Sequence, residues 1–131
     1  KVDIMDAKQH DYILSITSHM PHLIAYNIVN TTLNVQDKKE SDIVKYSAGG
    51  LRDFTRIAAS NPIMWRDVFI QNKKNTSNMI DNFIANLEDL KKAIENEDGK
   101  KLEEIFTKTQ KIRKEIIEAG QDVSKPDFGR K

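Results

Sequence analysis

The 131-residue chain contains no cysteine, so a disulfide framework, a thiol nucleophile and a cysteine metal site are all excluded, and a reducing cytoplasm is the expected setting. No apolar run approaches the ~18 residues of a membrane span. An excess of one charge is also lacking: 21 Lys and Arg stand against 20 Asp and Glu, interspersed, for a formal net charge of +1. That balance argues against nucleic acid or an anionic membrane as the main partner. Glycines number five and prolines three, and alternating β-branched runs are scarce, so little is available to build a sheet. These shortages predict an all-α domain, of a size at which a partner often completes burial. The chain begins at Lys1 with neither an initiator methionine nor a signal peptide, the start expected of a segment from a longer polypeptide.

Apolar spacing then divides the chain into helices. From Met5 to about Leu33, Ile13, Ile16, Met20, Ile24 and Ile28 recur at 3-4-4-4 spacing and lie on one face of a long helix capped by Asp6. Pro21 falls inside it; the missing N–H leaves the Thr17 carbonyl without its i+4 donor, and a bend is expected. Asn34 to Ser41 reads as a loop, Asp42 to Tyr46 as a short helix, Gly49-Gly50 as a break and Leu51 to Ala59 as a second short helix. Ser60-Asn61-Pro62 places a capping side chain ahead of a first-position proline, opening a helix expected to run to about Glu95. Ile80, Phe83, Leu87, Leu90 and Ile94 on that helix, and Leu102, Ile105, Thr109, Ile112 and Ile116 on the next, form matched stripes. Joined at Asn96 to Gly99, they predict an antiparallel helical hairpin. The charges around these stripes read as a solvated, salt-bridged face. Gly120 is the expected C-cap, and residues 121–131 form a polar tail, either disordered or docked through Phe128.

Residue types able to do chemistry fall in two places. His10, His19 and His22 share the first helix with Asp11, Ser15 and Ser18; on an ideal helix His19 and His22 are about 60° apart and His10 about 120° from His22. They suit hydrogen bonding within the fold or binding of an anionic or hydroxylated small molecule. A metal centre is less favoured, because no carboxylate sits one turn beyond His22 and HExxH is absent. The second place is Gly49 to Asp67, where paired glycines, three arginines, two aspartates and the only tryptophan crowd into nineteen residues. Backbone N–H groups at Gly49-Gly50 suit an anion, or a tight turn. Arg52 and Arg56 offer a planar fork matched to a carboxylate, although Arg56 can instead pair with Asp53 three residues back. Trp65 suits a core or interface, and Arg66-Asp67 a local ion pair.

Taken together, HDYILSITSHMPH from His10 to His22 and SAGGLRDFTRIAASNPIMWRD from Ser47 to Asp67 resemble the C-terminal helical domain of the prephenate dehydrogenases. One departure is Ala48, where relatives often carry a further glycine. The resemblance implies that residues 1–131 are a substrate-binding and dimerisation domain of the type found at the C-terminus of 6-phosphogluconate dehydrogenase. It further implies a cytoplasmic homodimer, whose parent converts prephenate to 4-hydroxyphenylpyruvate in tyrosine biosynthesis, or acts on arogenate. NAD or NADP, and the catalytic histidine, are then expected on an N-terminal nucleotide-binding domain outside this chain, so the isolated chain is expected to be inactive. By motif position Arg56 resembles the family's substrate-carboxylate arginine, and His22 a histidine beside it. His10, His19 and Ser18 match positions near the substrate, and Gly49, Asp53 and Trp65 match positions that enter the pocket from the partner subunit. Tyrosine is a candidate inhibitor, since a product-like carboxylate could occupy the same arginine. The alternative is a purely structural dimerisation module without a ligand site.

Overall fold

A computed structural model describes residues 4–35 and 49–120. Every element among them is helical: α1 (Ala7–Leu14), a π-turn (Ser15–His19), α2 (Met20–Val35), α3 (Gly49–Thr55), a 3-10 turn (Arg56–Ala59), α4 (Pro62–Gln71), α5 (Lys73–Glu95) and α6 (Gly99–Glu118). The expected all-α class holds. No helix among the described residues is long and apolar enough to cross a membrane. The short helix expected over Asp42 to Tyr46 and the tail with Phe128 lie outside the described residues. The chain divides into two compact units, Lys1–Asp81 and Asn82–Lys131.

In the first unit, Asp6 caps α1 as expected, its carboxylate accepting from the Gln9 N–H at 2.8 Å. The effect of Pro21 appears one turn upstream of the residue itself. The helix widens over Ser15–His19, and the Met20 N–H bonds back to the Ser15 carbonyl, five residues away. Carbonyl pairing thus passes from i+4 to i+5 just ahead of the residue that has no N–H to give. Ser15 is buried and satisfied within this turn, its hydroxyl donating to the Tyr12 carbonyl at 2.6 Å. The widening also moves the buried face. Ser15, His19 and Ala25 are the buried positions, while Ile13, Ile16, Met20, Ile24 and Ile28 are only half-buried.

Three further expectations are corrected here. Gly49 and Gly50 do not form a break; they make the first turn of α3, where a Cβ on either would meet nothing within 4 Å. The helix expected from Leu51 to Ala59 is α-helical only to Thr55 and tightens to 3-10 from Arg56. The helix opened by Pro62 is capped by Asn61, which accepts from the N–H groups of Ile63 (2.9 Å) and Met64 (3.2 Å), but it ends at Gln71. Asn72 leaves helical geometry at φ −107° and ψ 38° before α5 begins at Lys73. Its side chain is committed to α1 and to His19.

In the second unit, α5 and α6 are joined at the expected place. The Asp98 N–H reaches the Ala93 carbonyl at 2.8 Å and the Glu97 N–H that of Ile94 at 3.1 Å, which together close a Schellman motif. Asp98 then caps α6, accepting from the Lys101 N–H at 3.1 Å. After α6, Ala119 is the C-cap and Gly120 follows at φ +78°, one position beyond the expected cap. The matched stripes do not bury one another along their length. Ala93 is buried and Leu90, Leu102 and Ile105 are half-buried, but Leu87, Ile94, Ile112 and Ile116 are exposed.

Glu97 occupies the left-handed position of the Schellman motif at φ +52°, the one described non-glycine residue with positive φ. A side chain there costs roughly 1–2 kcal/mol, part of which glycine returns as extra freedom in the unfolded chain. Glu97→Gly is therefore expected to stabilise the protein by about 0.5–1 kcal/mol, read as a higher urea midpoint at unchanged slope.

Candidate functional site

The candidate site lies within the first unit, where two of the three histidines, His19 on the π-turn and His22 on α2, meet the tryptophan of α4. The His22 ring stacks on the Trp65 indole, with centroids 3.8 Å apart and planes 19° from parallel. His19, buried to 8% exposure, meets the same indole edge-on at 6.1 Å and Phe69 at 6.4 Å. Trp65 and Phe69 touch each other at 5.5 Å. Residues 65, 69 and 72 step by four and three along α4 and its end, so one face supplies the indole, the phenyl ring and the Asn72 amide.

Two hydrogen bonds set this arrangement on its scaffold. Tyr26, one turn beyond His22 on α2, donates its hydroxyl to the Ser60 carbonyl at 2.8 Å. It thereby ties α2 to the segment between Arg56 and the cap of α4. Nδ1 of His22 lies 2.9 Å from the Ser18 carbonyl. A carbonyl only accepts, so His22 donates from Nδ1 and, when neutral, presents a lone pair at Nε2. Burial holds His19 below the ordinary histidine range; the Asp11 carboxylate partly offsets this, while His22 and His10 add to the lowering. His19 is therefore neutral at pH 7.

The other sequence-predicted residues stand apart from the cluster. His10 is exposed, with Nδ1 3.4 Å from the Asp11 carboxylate. Ser18 takes part through its carbonyl. Arg56 is exposed at the start of the 3-10 turn, and neither it nor Asp53 forms a hydrogen bond or ion pair among the described residues, so the pairing considered between them is not made. Gly49 is exposed in the first turn of α3. Arg66 and Asp67 form the expected local pair at 2.9 Å on exposed side chains. Trp65, expected in a core or an interface, is buried at 8% exposure against His19 and His22 of its own chain. Phe69, Asn72 and Tyr26 were not singled out in the sequence, although the 65-69-72 spacing carried a signal for the first two.

Chemically, the cluster offers an aromatic wall and two histidines in different hydrogen-bonding states, which suits a small ring-bearing ligand. The Arg56 guanidinium, outside the cluster, has no carboxylate partner among the described residues. Among the described residues no group of three or more His, Asp or Glu could hold a metal ion.

Residues 6–108 match the family described as prephenate dehydrogenase, dimerization domain. The chain is 41% identical over 113 residues to a cyclohexadienyl dehydrogenase of Zymomonas mobilis, covering 86% of this chain and 39% of that protein. It is 33% identical over 124 residues to a prephenate dehydrogenase of Bacillus subtilis, covering 95% and 33% respectively. The crystal structure of Aquifex aeolicus prephenate dehydrogenase, in complex with hydroxyphenyl propionate and NAD+, superposes with a TM-score of 0.82 at 40% identity, over 88% of this chain and 40% of that one. Synechocystis arogenate dehydrogenase, at 20% identity and a TM-score of 0.77, shares the fold. The chain thus spans between a third and two fifths of the length of the relatives it matches. With the family match extending over most of its length, the chain belongs to the prephenate dehydrogenase dimerization-domain family.

Proposed function

We propose that this chain is the domain of a prephenate or arogenate dehydrogenase that holds the substrate's side-chain carboxylate and joins two subunits. The reading is supported by the aromatic wall of His22, Trp65 and Phe69 and by the Tyr26–Ser60 bond, which ties the segment that follows Arg56 to the helix bearing His22, with Arg56 exposed and unpaired among the described residues. The parent reaction removes hydride from the ring carbon bearing the hydroxyl, and the nicotinamide of NAD or NADP accepts it. A base takes the hydroxyl proton, the ring carboxylate departs as CO2, its bonding electrons aromatise the ring, and the proton returns to the phenolic oxygen.

In this reaction Arg56 belongs on the side-chain carboxylate. A tight arginine pair to the ring carboxylate would stabilise the ground state of the group that must leave. His19 and His22 then contact substrate oxygens from the wall, with Ser18 positioning His22, while His10 lies nearer the joint with the nucleotide-binding domain. Gly49 and Asp53 belong to the pocket edge, toward the partner subunit. Tyrosine, whose carboxylate matches the product's, competes at Arg56. The second copy of the chain covers the exposed apolar positions of α5 and α6, among them Leu87, Ile94, Ile112 and Ile116. Nucleotide and catalytic base are supplied by a nucleotide-binding domain outside this sequence, in a cytoplasmic enzyme.

The test is an assay of the complete parent protein with prephenate and with arogenate, each with NAD and NADP. Nucleotide reduction with one CO2 released per hydride is expected from the complete protein and none from the 131-residue chain alone. Reduction by the chain alone, or none by the complete protein, contradicts the reading.

A further inference from the structure

Asn72, where α4 gives way to α5, makes a set of hydrogen bonds that decides where a neighbouring histidine carries its proton. Its Nδ2 lies 2.8 Å from the backbone carbonyl of Asp11 and 3.2 Å from Nδ1 of His19, and its Oδ1 accepts from Nδ2 of Asn75 at 3.0 Å. A backbone carbonyl has nothing to donate, so the group facing Asp11 is the amide NH2. Asn75 fixes the same orientation from the other side. The two amide hydrogens then go one to Asp11 and one to His19, and a ring nitrogen that meets an N–H must present a lone pair. Nδ1 of His19 is unprotonated, and the neutral ring carries its proton on Nε2.

That Nε2 forms no hydrogen bond among the described residues. It is not sealed off either, because the one fully buried side-chain polar atom without a partner among them is Thr76 Oγ1. We infer that Asn72 is a positioning residue that locks His19 in its neutral Nε2–H form and so supplies the cluster with a fixed donor for a carboxylate or hydroxyl oxygen. Its use toward a ligand rests on the proposed function; the tautomer does not. The groups around His19 favour the same state. The rings of Trp65 and Phe69 cover it from α4, His10 and His22 disfavour a second charge, and only the Asp11 carboxylate acts the other way. A second proton would have to sit on Nδ1, against the Asn72 N–H. His22, which donates from Nδ1, has the complementary polarity. One histidine thus offers a donor and its neighbour, when neutral, an acceptor.

Asn72→Asp keeps the shape but replaces the NH2 with a carboxylate oxygen that can only accept. Long-range 1H–15N correlation spectra of the protein, followed through a pH titration, read which ring nitrogen holds the proton. The expected wild-type result is His19 protonated on Nε2 and titrating below an ordinary histidine. In Asn72→Asp the proton moves to Nδ1 and the titration shifts upward, whereas Asn75→Ala, which leaves the Asn72 amide facing Asp11, keeps the wild-type tautomer. A wild-type His19 protonated on Nδ1, or an unchanged tautomer in a folded Asn72→Asp protein, overturns the inference. Should Asn72→Asp fail to fold, the wild-type spectrum decides alone. Neither reading depends on whether Arg56 binds substrate, so failure here is distinct from failure of the proposed function.

Discussion

Replacing Arg56 with alanine in the complete dehydrogenase is expected to lower kcat/KM for prephenate by ~100-fold or more, which is roughly 3 kcal/mol of transition-state stabilisation. The size follows from the bond proposed. Two parallel N–H donors to one carboxylate form a charge-assisted pair, and its loss leaves a charged substrate group without a partner in a partly water-excluded pocket. Arg56→Lys should recover only part of the loss, because an ammonium cannot reproduce the planar fork. The same substitution should leave the urea midpoint unchanged, since Arg56 is exposed and forms no hydrogen bond or ion pair among the described residues. That combination separates a ligand role from a structural one. A drop in stability with kinetics unchanged would place Arg56 in the scaffold.

Trp65→Ala should do the reverse in the first instance and cost stability, by about 3–5 kcal/mol, as expected for truncating a buried aromatic residue. Trp65 is one of three buried hydrophobic residues among those described, and the other two are the alanines Ala25 and Ala93. The indole is therefore the largest buried apolar side chain among the described residues. Its loss also uncovers His19. Because burial is the leading cause of that histidine's lowered pKa, water entering the vacated space moves the pKa up toward the ordinary value of 6.5. Chemical denaturation measures the first effect and an NMR titration of the His19 ring the second. Trp65→Phe, which keeps an aromatic face for His22, should fall between. Unchanged stability in the alanine variant would show that the His22–Trp65 stack contributes nothing to the fold.

Local signals are legible in the sequence because their causes are local. Asp6 and Asn61 cap helices through their own side chains within three residues, and the turn after Glu95 closes through bonds that span three and five. The motifs around His22 and Arg56 led to the family for the same reason, since residue order and spacing are all that a motif contains. What the sequence did not reveal depends on partners distant along the chain. The break at Asn72 has no local signal, because its partners are distant: Asn72 contacts Asp11 across 61 residues and His19 across 53. Pro21 pointed to a bend but not to its form, since the π-turn is one of several ways to absorb a missing N–H. Motif order says nothing about which side chains meet within the chain: that Trp65 lies against His19 and His22 rests on ring contacts between residues far apart in the sequence. The stripes on α5 and α6 show apolar faces clearly, but periodicity does not reveal whether the covering surface is within the chain or on a second copy.

Trp65 is the only tryptophan in the chain, so indole emission, excited beyond the tyrosine absorption band, reports on the His19–His22–Trp65 cluster. Titrating the 131-residue protein with prephenate while following that emission tests most directly whether the cluster and Arg56 form one carboxylate-binding pocket. A saturable change that is lost in Arg56→Ala at unchanged stability is the predicted result. The absence of any saturable change, or superimposable titrations for the wild-type and Arg56→Ala proteins, would contradict it.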